Sequence, residues 1–162
     1  MNQMRVGHGY DIHRLVPDRP LVLGGVEIES EFGLLGHSDG DAVLHALTDA
    51  LLGAAGLGDI GEHFPDTDPQ FAGASSDRFL TRARQLLAAD GYRIVNADLT
   101  IIAERPRLGP VKVEIRRNVA ALLEVSEDRV AVKARTREGL GAVGRGEAIE
   151  THAVVLIERA KA

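Results

Sequence analysis

The segment GHSDGDAVLH, residues 36–45, brings two histidines, a serine and two aspartates to the start of an apolar stretch. The apolar residues that follow recur at the spacing of one helix face: Val43, Leu44, Leu47, Leu51 and Leu52. This spacing predicts a helix from about Asp41 to Ala55 with one face in the core. Residues 42–58 are the most apolar segment of the chain.

Helix capping explains part of the polar cluster. Ser38 followed three residues later by Asp41 is close to a capping box. Asp39 and Asp41 also suit the positive end of the helix dipole. Capping does not explain His37 or His45, which lies one turn inside the helix. A single helix histidine is more often a satisfied, partly buried residue than a ligand, so His45 needs partners elsewhere in the chain.

Composition limits the class of protein. A chain of 162 residues fits one domain, residues 1–162, with 1–4 and 160–162 expected to be frayed, and it can bury roughly 70% of its unfolded surface. The net charge of −5 and the few aromatic residues argue against a nucleic-acid partner. Without cysteine there are no disulfides, and any zinc must bind histidine and carboxylate. No signal pattern or membrane-length apolar run stands out, so we expect a cytoplasmic protein without a membrane partner.

The pattern along the chain predicts an α+β or α/β fold in which a single sheet carries helices on one face. The predicted strands are Arg5–His13, Tyr92–Ala103, Arg129–Arg135 and Thr151–Arg159, with a hairpin at Leu21–Ile28. The predicted helices are Asp41–Ala55, Ser76–Ala89 and Pro110–Leu123.

The sequence GYDIH supplies partners for His45. Asp11 and His13 are two apart in a predicted strand, so their side chains point to the same side. A strand and a packed helix could bring Asp11, His13 and His45 to one ion and leave a fourth position open. Three protein ligands with an open position are typical of catalytic zinc.

The segment GDIGEHFPDTDP holds Asp59, Asp66 and Asp68. Aspartate and proline favour turns, so a solvated turn cluster is the simpler reading. The alternative is a set of acceptors for the hydroxyls of a polyol substrate.

The segment KARTREGLGAVGRGE, residues 133–147, combines Thr136, Glu138 and Arg145 with several glycines. Such glycines let backbone N–H groups turn toward a phosphate. Glu138 could hold a hard divalent cation that bridges phosphate oxygens. The motif of a Walker loop is absent.

Several motifs together closely resemble one family: GYDIH, LLGHSDGDAVLHALTDALLGAAGLGDIG, FPDTDP, TIIAERPRLGP and TREGLG…GRGE. The family is 2-C-methyl-D-erythritol 2,4-cyclodiphosphate synthase of the non-mevalonate isoprenoid pathway, and the resemblance runs from Arg5 to about Arg159. It implies a metal-dependent phosphorus–oxygen lyase that converts 4-diphosphocytidyl-2-C-methyl-D-erythritol 2-phosphate to the 2,4-cyclodiphosphate and CMP. No general base is needed, because the attacking phosphate is already ionised.

The resemblance also assigns the site. It implies zinc at Asp11, His13 and His45, and magnesium or manganese at Glu138. His37 and Thr136 would be catalytic, as groups that stabilise the transferring phosphoryl charge. The implied substrate-binding residues are Asp11, His13, His37, Ser38, Asp59, Ile60, Gly61, Phe64, Pro65, Asp66, Thr67, Asp68, Ala103, Glu104, Arg105, Pro106, Arg107, Leu108, Gly109, Arg135, Thr136, Arg137, Glu138, Ala142 and Arg145. Residues 59–61 and 64–68 would hold the erythritol, and the backbone of 103–109 the cytidine.

The family further implies a homotrimer with active sites between subunits. Arg145 would lie near the trimer's central cavity, in which an isoprenoid diphosphate would bind. The chain departs from the family where Thr is common at Arg135 and Arg137, Lys at Arg107 and an aromatic residue at Ala142. Because alternate residues of an extended chain point to opposite sides, Arg135 and Arg137 should face away from Thr136 and act as solvated or subunit-contact charges. The alternative is that Arg135 adds a charge-assisted hydrogen bond to the cytidine diphosphate.

Two other functions remain open at this point. A zinc phosphohydrolase would use a metal-bound water and release inorganic phosphate. A trimeric binding module for cytidine nucleotides or isoprenoid diphosphates would hold a purely structural metal.

Overall fold

A computed structural model describes residues 3–65 and 67–160. Its strands are β1 (Met4–Pro17), β2 (Leu21–Leu23), β3 (Val26–Ile28), β4 (Phe32–Leu34), β5 (Tyr92–Ile102), β6 (Val130–Arg135) and β7 (Ala148–Arg159). Its helices are α1 (Ala42–Ala55), α2 (Ile60–His63), α3 (Asp77–Ala89), α4 (Lys112–Leu123) and α5 (Gly141–Gly144). Short 3₁₀ turns lie at Pro69–Phe71, Gly109–Val111 and Glu127–Arg129.

The main sheet is mixed. Its five strands follow the order β4-β1-β7-β5-β6, and β2 pairs with β3 in a separate hairpin. Only β5 and β6 are parallel, and the other neighbours in the sheet are antiparallel. The prediction of one sheet with packed helices is therefore confirmed, and its class is α+β. The alternation of strands with helices did not reveal that β7 inserts between β1 and β5.

Two strand glycines let α1 lie directly on the sheet. A Cβ on Gly9 would come 1.8 Å from the carbonyl oxygen of Ala46, and one on Gly7 would come 1.9 Å from that of Ala50. The helix backbone thus touches the strand backbone, and α1 is buried on nearly all sides. Side chains on β1 next to these glycines, including Asp11 and His13, consequently lie beside α1.

On the opposite face of the sheet, the described helices contribute only the short α5, whose Val143 is buried with Ile102 and Ala148, and we call the rest of this face the uncovered face. Its apolar side chains are exposed in the chain described here: Met4, Val6, Tyr10 and Ile12 on β1, and Val154 on β7. None of the helices in the described ranges is long and apolar enough to span a membrane.

The predicted boundaries hold for the hairpin and nearly hold for α1 and α3. Sequence patterns missed the short elements β4, α2 and α5, which contain only three or four residues each. They also placed the start of β7 at Thr151, whereas it begins at Ala148.

The chain ends were expected to be frayed. The carbonyl of Gln3 accepts from Arg159 N, Met4 pairs with Glu158, and Ala160 N donates to Gly91 O. The other residues of that expectation, 1, 2, 161 and 162, lie outside the described residues.

Candidate metal and nucleotide site

Asp11, His13 and His45 meet where β1 packs on α1. Asp11 Oδ2 lies 2.6 Å from His13 Nδ1 and 3.6 Å from His45 Nδ1. The three candidate ligand atoms all lie within 4.8 Å of one another, and the imidazole centroids of His13 and His45 are 5.1 Å apart. The sequence reasoning expected these three residues to converge, and the fold brings them together.

The donor set fits a divalent cation. Asp11 Oδ2 and His13 Nδ1 are buried and have no hydrogen-bond partner of good geometry among the described residues. Buried polar atoms are rarely left in that state unless water or an ion satisfies them. One carboxylate oxygen and two imidazole nitrogens are ligands that zinc accepts, with a fourth position left for substrate.

The same three side chains influence one another's protonation. Burial by itself raises the pKa of Asp11, but the adjacent imidazoles of His13 and His45 outweigh burial and hold that pKa below its usual value. Burial by itself lowers the pKa of His45, but the carboxylate of Asp11 outweighs burial and raises it. Without a metal, the group therefore favours a protonated His45 beside a charged Asp11.

The other nitrogen of His45 is held by serines. His45 Nε2 lies 2.9 Å from Ser76 Oγ and 3.1 Å from Ser38 Oγ. Ser76, at the start of α3, is fully buried, and its hydroxyl donates to Asp39 Oδ1 while its N–H donates to Asp39 Oδ2. Hydrogen bonds of this kind fix the ring of a metal-binding histidine.

Sequence reasoning treated Ser76 only as the residue that opens α3. Its side chain makes no capping hydrogen bond, so the interpretation of Ser76 as a cap concealed its contact with His45.

The capping box expected at Ser38 and Asp41 is wrong. Asp41 is itself the N-cap of α1, and its Oδ1 accepts from Val43 N and Leu44 N. The same carboxylate accepts from Gly24 N and Gly25 N, which ties the β2–β3 hairpin to the helix. Burial raises the pKa of Asp41 to about 6, and these N–H donors partly oppose that rise. Ser38 does not cap the helix, and its hydroxyl contacts His45.

A cavity of about 370 Å³ opens beside the metal-binding group. Ten residues line it: His13, His37, Ser38, His45, Ile60, Gly61, Phe64, Pro65, Phe71 and Phe79. The exposed His37 and the segment 60–65 thus line the same cavity as His13 and His45. The resemblance had implied that these residues bind substrate. Asp59 lies next to this wall as the N-cap of α2, where its Oδ1 accepts from Glu62 N.

The rest of that loop is less engaged with the cavity. Asp68 caps the short turn at Pro69–Phe71 and accepts from Gln70 N at 3.0 Å, while Thr67 is exposed. The solvated-turn reading therefore accounts for the contacts of Asp68 within this chain. Asp66 lies outside the described residues.

The remaining expected site residues lie at the ends of β5 and β6. The peptide bond between Arg105 and Pro106 is cis, in the segment 103–109. Glu104 Oε1 accepts from the backbone N–H of Arg137 at 2.8 Å and of Gly139 at 3.4 Å. The carboxylate of Glu104 therefore ties the segment expected to bind cytidine to the loop expected to bind phosphate. In that loop Thr136 Oγ1 donates to Glu138 Oε1 at 3.4 Å.

The four residues that depart from the family pattern, and the nearby Arg145, have different surroundings. Arg137 donates to Glu150, which is 3% exposed and also accepts from Tyr10 Oη. Arg145 pairs with Glu147 at 2.7 Å. Arg137 and Arg145 are exposed in spite of these pairings, as are Arg107, Arg135 and Ala142. The pairing of Arg137 across to β7 is a structural role in this chain.

The two groups of expected site residues do not share one cavity. The metal-binding group lies on β1 and α1, whereas Thr136 and Glu138 follow β6 at the far edge of the sheet, with β7 and β5 between. None of the residues at that edge lines the cavity beside His45. Within one chain, the expected site residues therefore form two separate groups, each of which would be a partial site.

Comparison with known proteins supports the resemblance seen in the sequence. The model of the YgbB family matches residues 4–158. The 2-C-methyl-D-erythritol 2,4-cyclodiphosphate synthase of Symbiobacterium thermophilum is 60% identical over 154 residues, which cover 95% of this chain and 98% of that protein.

Solved structures agree with this. A 2C-methyl-D-erythritol-2,4-cyclodiphosphate synthase in a CDP-bound form has a TM-score of 0.88 at 46% identity and covers 94% of this chain and 99% of that one. The Plasmodium falciparum IspF–CDP complex has a TM-score of 0.87 at 36% identity and covers 99% of both chains. The chain belongs to the YgbB family, the family of the 2-C-methyl-D-erythritol 2,4-cyclodiphosphate synthases.

Proposed function

We propose that this chain converts 4-diphosphocytidyl-2-C-methyl-D-erythritol 2-phosphate to 2-C-methyl-D-erythritol 2,4-cyclodiphosphate and CMP, a step of the non-mevalonate isoprenoid pathway. The observation that carries the proposal is the Asp11–His13–His45 group at the wall of a cavity of about 370 Å³ in a chain of this family. Relatives solved with CDP support a substrate that contains a cytidine nucleotide.

The reaction is an intramolecular phosphoryl transfer. An oxygen of the 2-phosphate attacks the β-phosphorus, the bond from that phosphorus to the oxygen of CMP breaks, and CMP leaves with the electron pair. The nucleophile is ionised at neutral pH, so no proton has to be removed by the protein. Catalysis then depends on positioning and on neutralising charge.

The chain's own residues suit these tasks. His37 is exposed in the cavity and lies next to Ser38, so its imidazole is free to donate to a phosphate oxygen. Phe64, Phe71 and Phe79 form an aromatic wall, with ring centroids 4.7–5.8 Å apart, that excludes water from one side. Thr136 is exposed at the far edge of the sheet, where its hydroxyl would donate to the diphosphate.

The metals belong to the proposal. One carboxylate and two imidazoles are a donor set typical of zinc, so Asp11, His13 and His45 would hold it. The carboxylate of Glu138 is a hard ligand and would hold magnesium or manganese. The two ions would supply charge neutralisation and alignment of the phosphates, as metals do in other phosphoryl transfers.

A homotrimer would unite the two partial sites. Because the metal-binding group and the Thr136 loop lie at different places in one chain, a complete site needs a second copy to bring its loop to the cavity. The exposed apolar side chains on the uncovered face of the sheet support association through that face. In such a trimer, the face would surround a central cavity near Arg145, in which an isoprenoid diphosphate would bind.

Phosphorus NMR of the protein with the substrate, zinc and magnesium tests the reaction. We expect the cyclic diphosphate and CMP to appear in equal amounts. Inorganic phosphate without a cyclic product would identify a phosphohydrolase, and unchanged substrate with bound nucleotide would identify a binding module.

Sedimentation of the active protein tests the assembly. We expect the active protein to be a trimer, and we expect activity to be lost when the trimer dissociates. A fully active monomer would contradict the shared site.

A further inference from the structure

A second histidine pair lies on the uncovered face of the sheet, opposite the Asp11–His13–His45 group. His8 on β1 and His152 on β7 occupy diagonal positions, because Tyr10 is the residue paired with His152. His8 Nε2 lies 3.3 Å from His152 Nδ1, and the ring centroids are 5.5 Å apart. The proposed reaction does not use either residue.

The distance between His8 Nε2 and His152 Nδ1 is the distance expected for two nitrogens that bind the same metal ion. Two imidazole nitrogens bound at about 2.0–2.1 Å to one tetrahedral ion lie about 3.3–3.4 Å apart. A hydrogen bond between neutral rings usually brings its heavy atoms to about 2.7–3.2 Å, so 3.3 Å is long for that alternative. The distance therefore fits a shared ion, and without an ion the two rings form a hydrogen bond.

The surroundings hold the pair in place. The ring of Tyr10 packs 4.9 Å from that of His152, and its hydroxyl is anchored on Glu150. Strands β1 and β7 are paired continuously from Met4 to Arg14, so the two backbones cannot drift apart. A rigid pair of donors loses little freedom when it binds an ion.

We propose that His8 and His152 form a second metal site for a borderline transition-metal ion such as Zn²⁺, Ni²⁺ or Cu²⁺. Imidazole donors favour these ions over Mg²⁺ or Ca²⁺, which prefer oxygen. With two protein ligands, the remaining positions are filled by water or by another donor. The site is separate from the Asp11–His13–His45 group, because its ligands lie on the other face of the sheet.

The test is a Zn²⁺ titration of the metal-stripped protein by calorimetry, followed by elemental analysis after dialysis against dilute Zn²⁺. We expect a tight event from the Asp11–His13–His45 group and a weaker second event. His152→Ala and, separately, His8→Ala should abolish the second event and keep the first. Val154→Ala removes a neighbouring side chain on the same strand and face and should keep both events.

Two results would overturn the proposal. One is a single binding event in the parent protein. The other is a second event that persists in both histidine variants, because the ion would then be bound elsewhere. A spectroscopic arm uses Cu²⁺ in the His45→Ala background, where electron paramagnetic resonance should show nitrogen coupling that disappears when His152→Ala is added. Retained coupling there would contradict the assignment.

Discussion

The metal-binding group and the loop that follows β6 differ in how they are held in place. Asp11, His13 and His45 are at most 21% exposed, and they are fixed by helix-on-sheet contact and by the buried Ser76. Residues 135–139 are all exposed, and the loop's described anchors are Glu104 and the pairing of Arg137 with Glu150.

The contrast separates a region that the fold of one chain holds in place from a region that is exposed. The metal-binding group owes its geometry to the hydrophobic core, so changes in the core should alter it. The loop owes little to the core, so it should depend on the substrate and on a neighbouring subunit. Changes in the first region should therefore have larger effects than most changes in the second.

The largest effect is expected from His45→Ala. Loss of one of three ligands should remove the metal and reduce cyclisation by more than about a thousandfold, since such ions supply several kcal/mol to transition-state stabilisation. Elemental analysis and CMP release measure the two effects. His63→Ala is the matched control, because His63 contacts the carbonyl of Leu57 and should keep the metal. Equal metal content in His45→Ala and the parent would exclude this ligand.

The contact between β1 and α1 is tested by Gly9→Ala. The new Cβ would overlap the carbonyl oxygen of Ala46, so the helix must move, which should cost about 3 kcal/mol or more of the free energy of unfolding and weaken metal binding. Gly53→Ala in α1 is the control, because a Cβ there meets nothing within 4 Å, and it should stabilise the helix by about 0.5–1 kcal/mol. Chemical denaturation measures both. A stable Gly9→Ala protein with normal metal affinity would show that the contact does not build the site.

The role of the buried serine is tested by Ser76→Ala. Removing the hydroxyl should leave the ring of His45 free to turn and lower metal affinity about 10–100-fold, the usual effect of losing such a partner. Ser75→Ala is the control, because Ser75 is exposed and adjacent, and it should change little. Competition with a chelator measures the affinities. Equal metal affinities for the two variants would show that the Ser76 hydroxyl does not contribute to metal binding.

Metal affinity should depend on pH through His45. The pKa of this histidine is raised above 6.5 in the metal-free chain, and the ion needs the neutral ring. Affinity should therefore fall about tenfold for each pH unit below that pKa and be constant above it. A metal affinity that is flat down to pH 5 would contradict the raised pKa.

The same pKa shift predicts the stability of the metal-free protein. The attraction between protonated His45 and Asp11 is fully present below pH 6.5 and is lost as the pH rises through the raised pKa, so this contribution to the free energy of unfolding decreases there. The lowered pKa of Asp11 has the opposite sign, and its contribution is lost as the pH falls below 3.8 through that pKa. Denaturation curves of metal-free protein across this range measure both changes.

The smallest effect is expected in the exposed loop. The side chain of Arg135 is exposed, so Arg135→Thr should reduce kcat/KM less than tenfold. Thr136→Ala should reduce it by clearly more, because that hydroxyl would contact the transferring phosphoryl group. Steady-state CMP release compares them. A larger loss for Arg135→Thr would mean that the arginine, and not the threonine, faces the diphosphate.

Local sequence patterns were sufficient where one element dominates its surroundings. The apolar spacing after Asp41 predicted α1, and the i, i+2 spacing of Asp11 and His13 predicted that both side chains share a face of β1. The family motifs predicted the family, which the comparisons confirm. These properties depend on residues that are close in sequence or on whole motifs, so they can be predicted from the sequence.

Only the tertiary structure decided which partner each polar side chain has. Sequence alone assigned Ser38 to a cap and Ser76 to the start of a helix, whereas in the structure both hydroxyls contact His45. It also could not place β7 between β1 and β5, which separates the cavity from the Thr136 loop and sets His152 beside His8. The physical reason is that hydrogen-bond and metal partners distant in sequence are chosen by strand order and helix packing, which short-range periodicity does not encode.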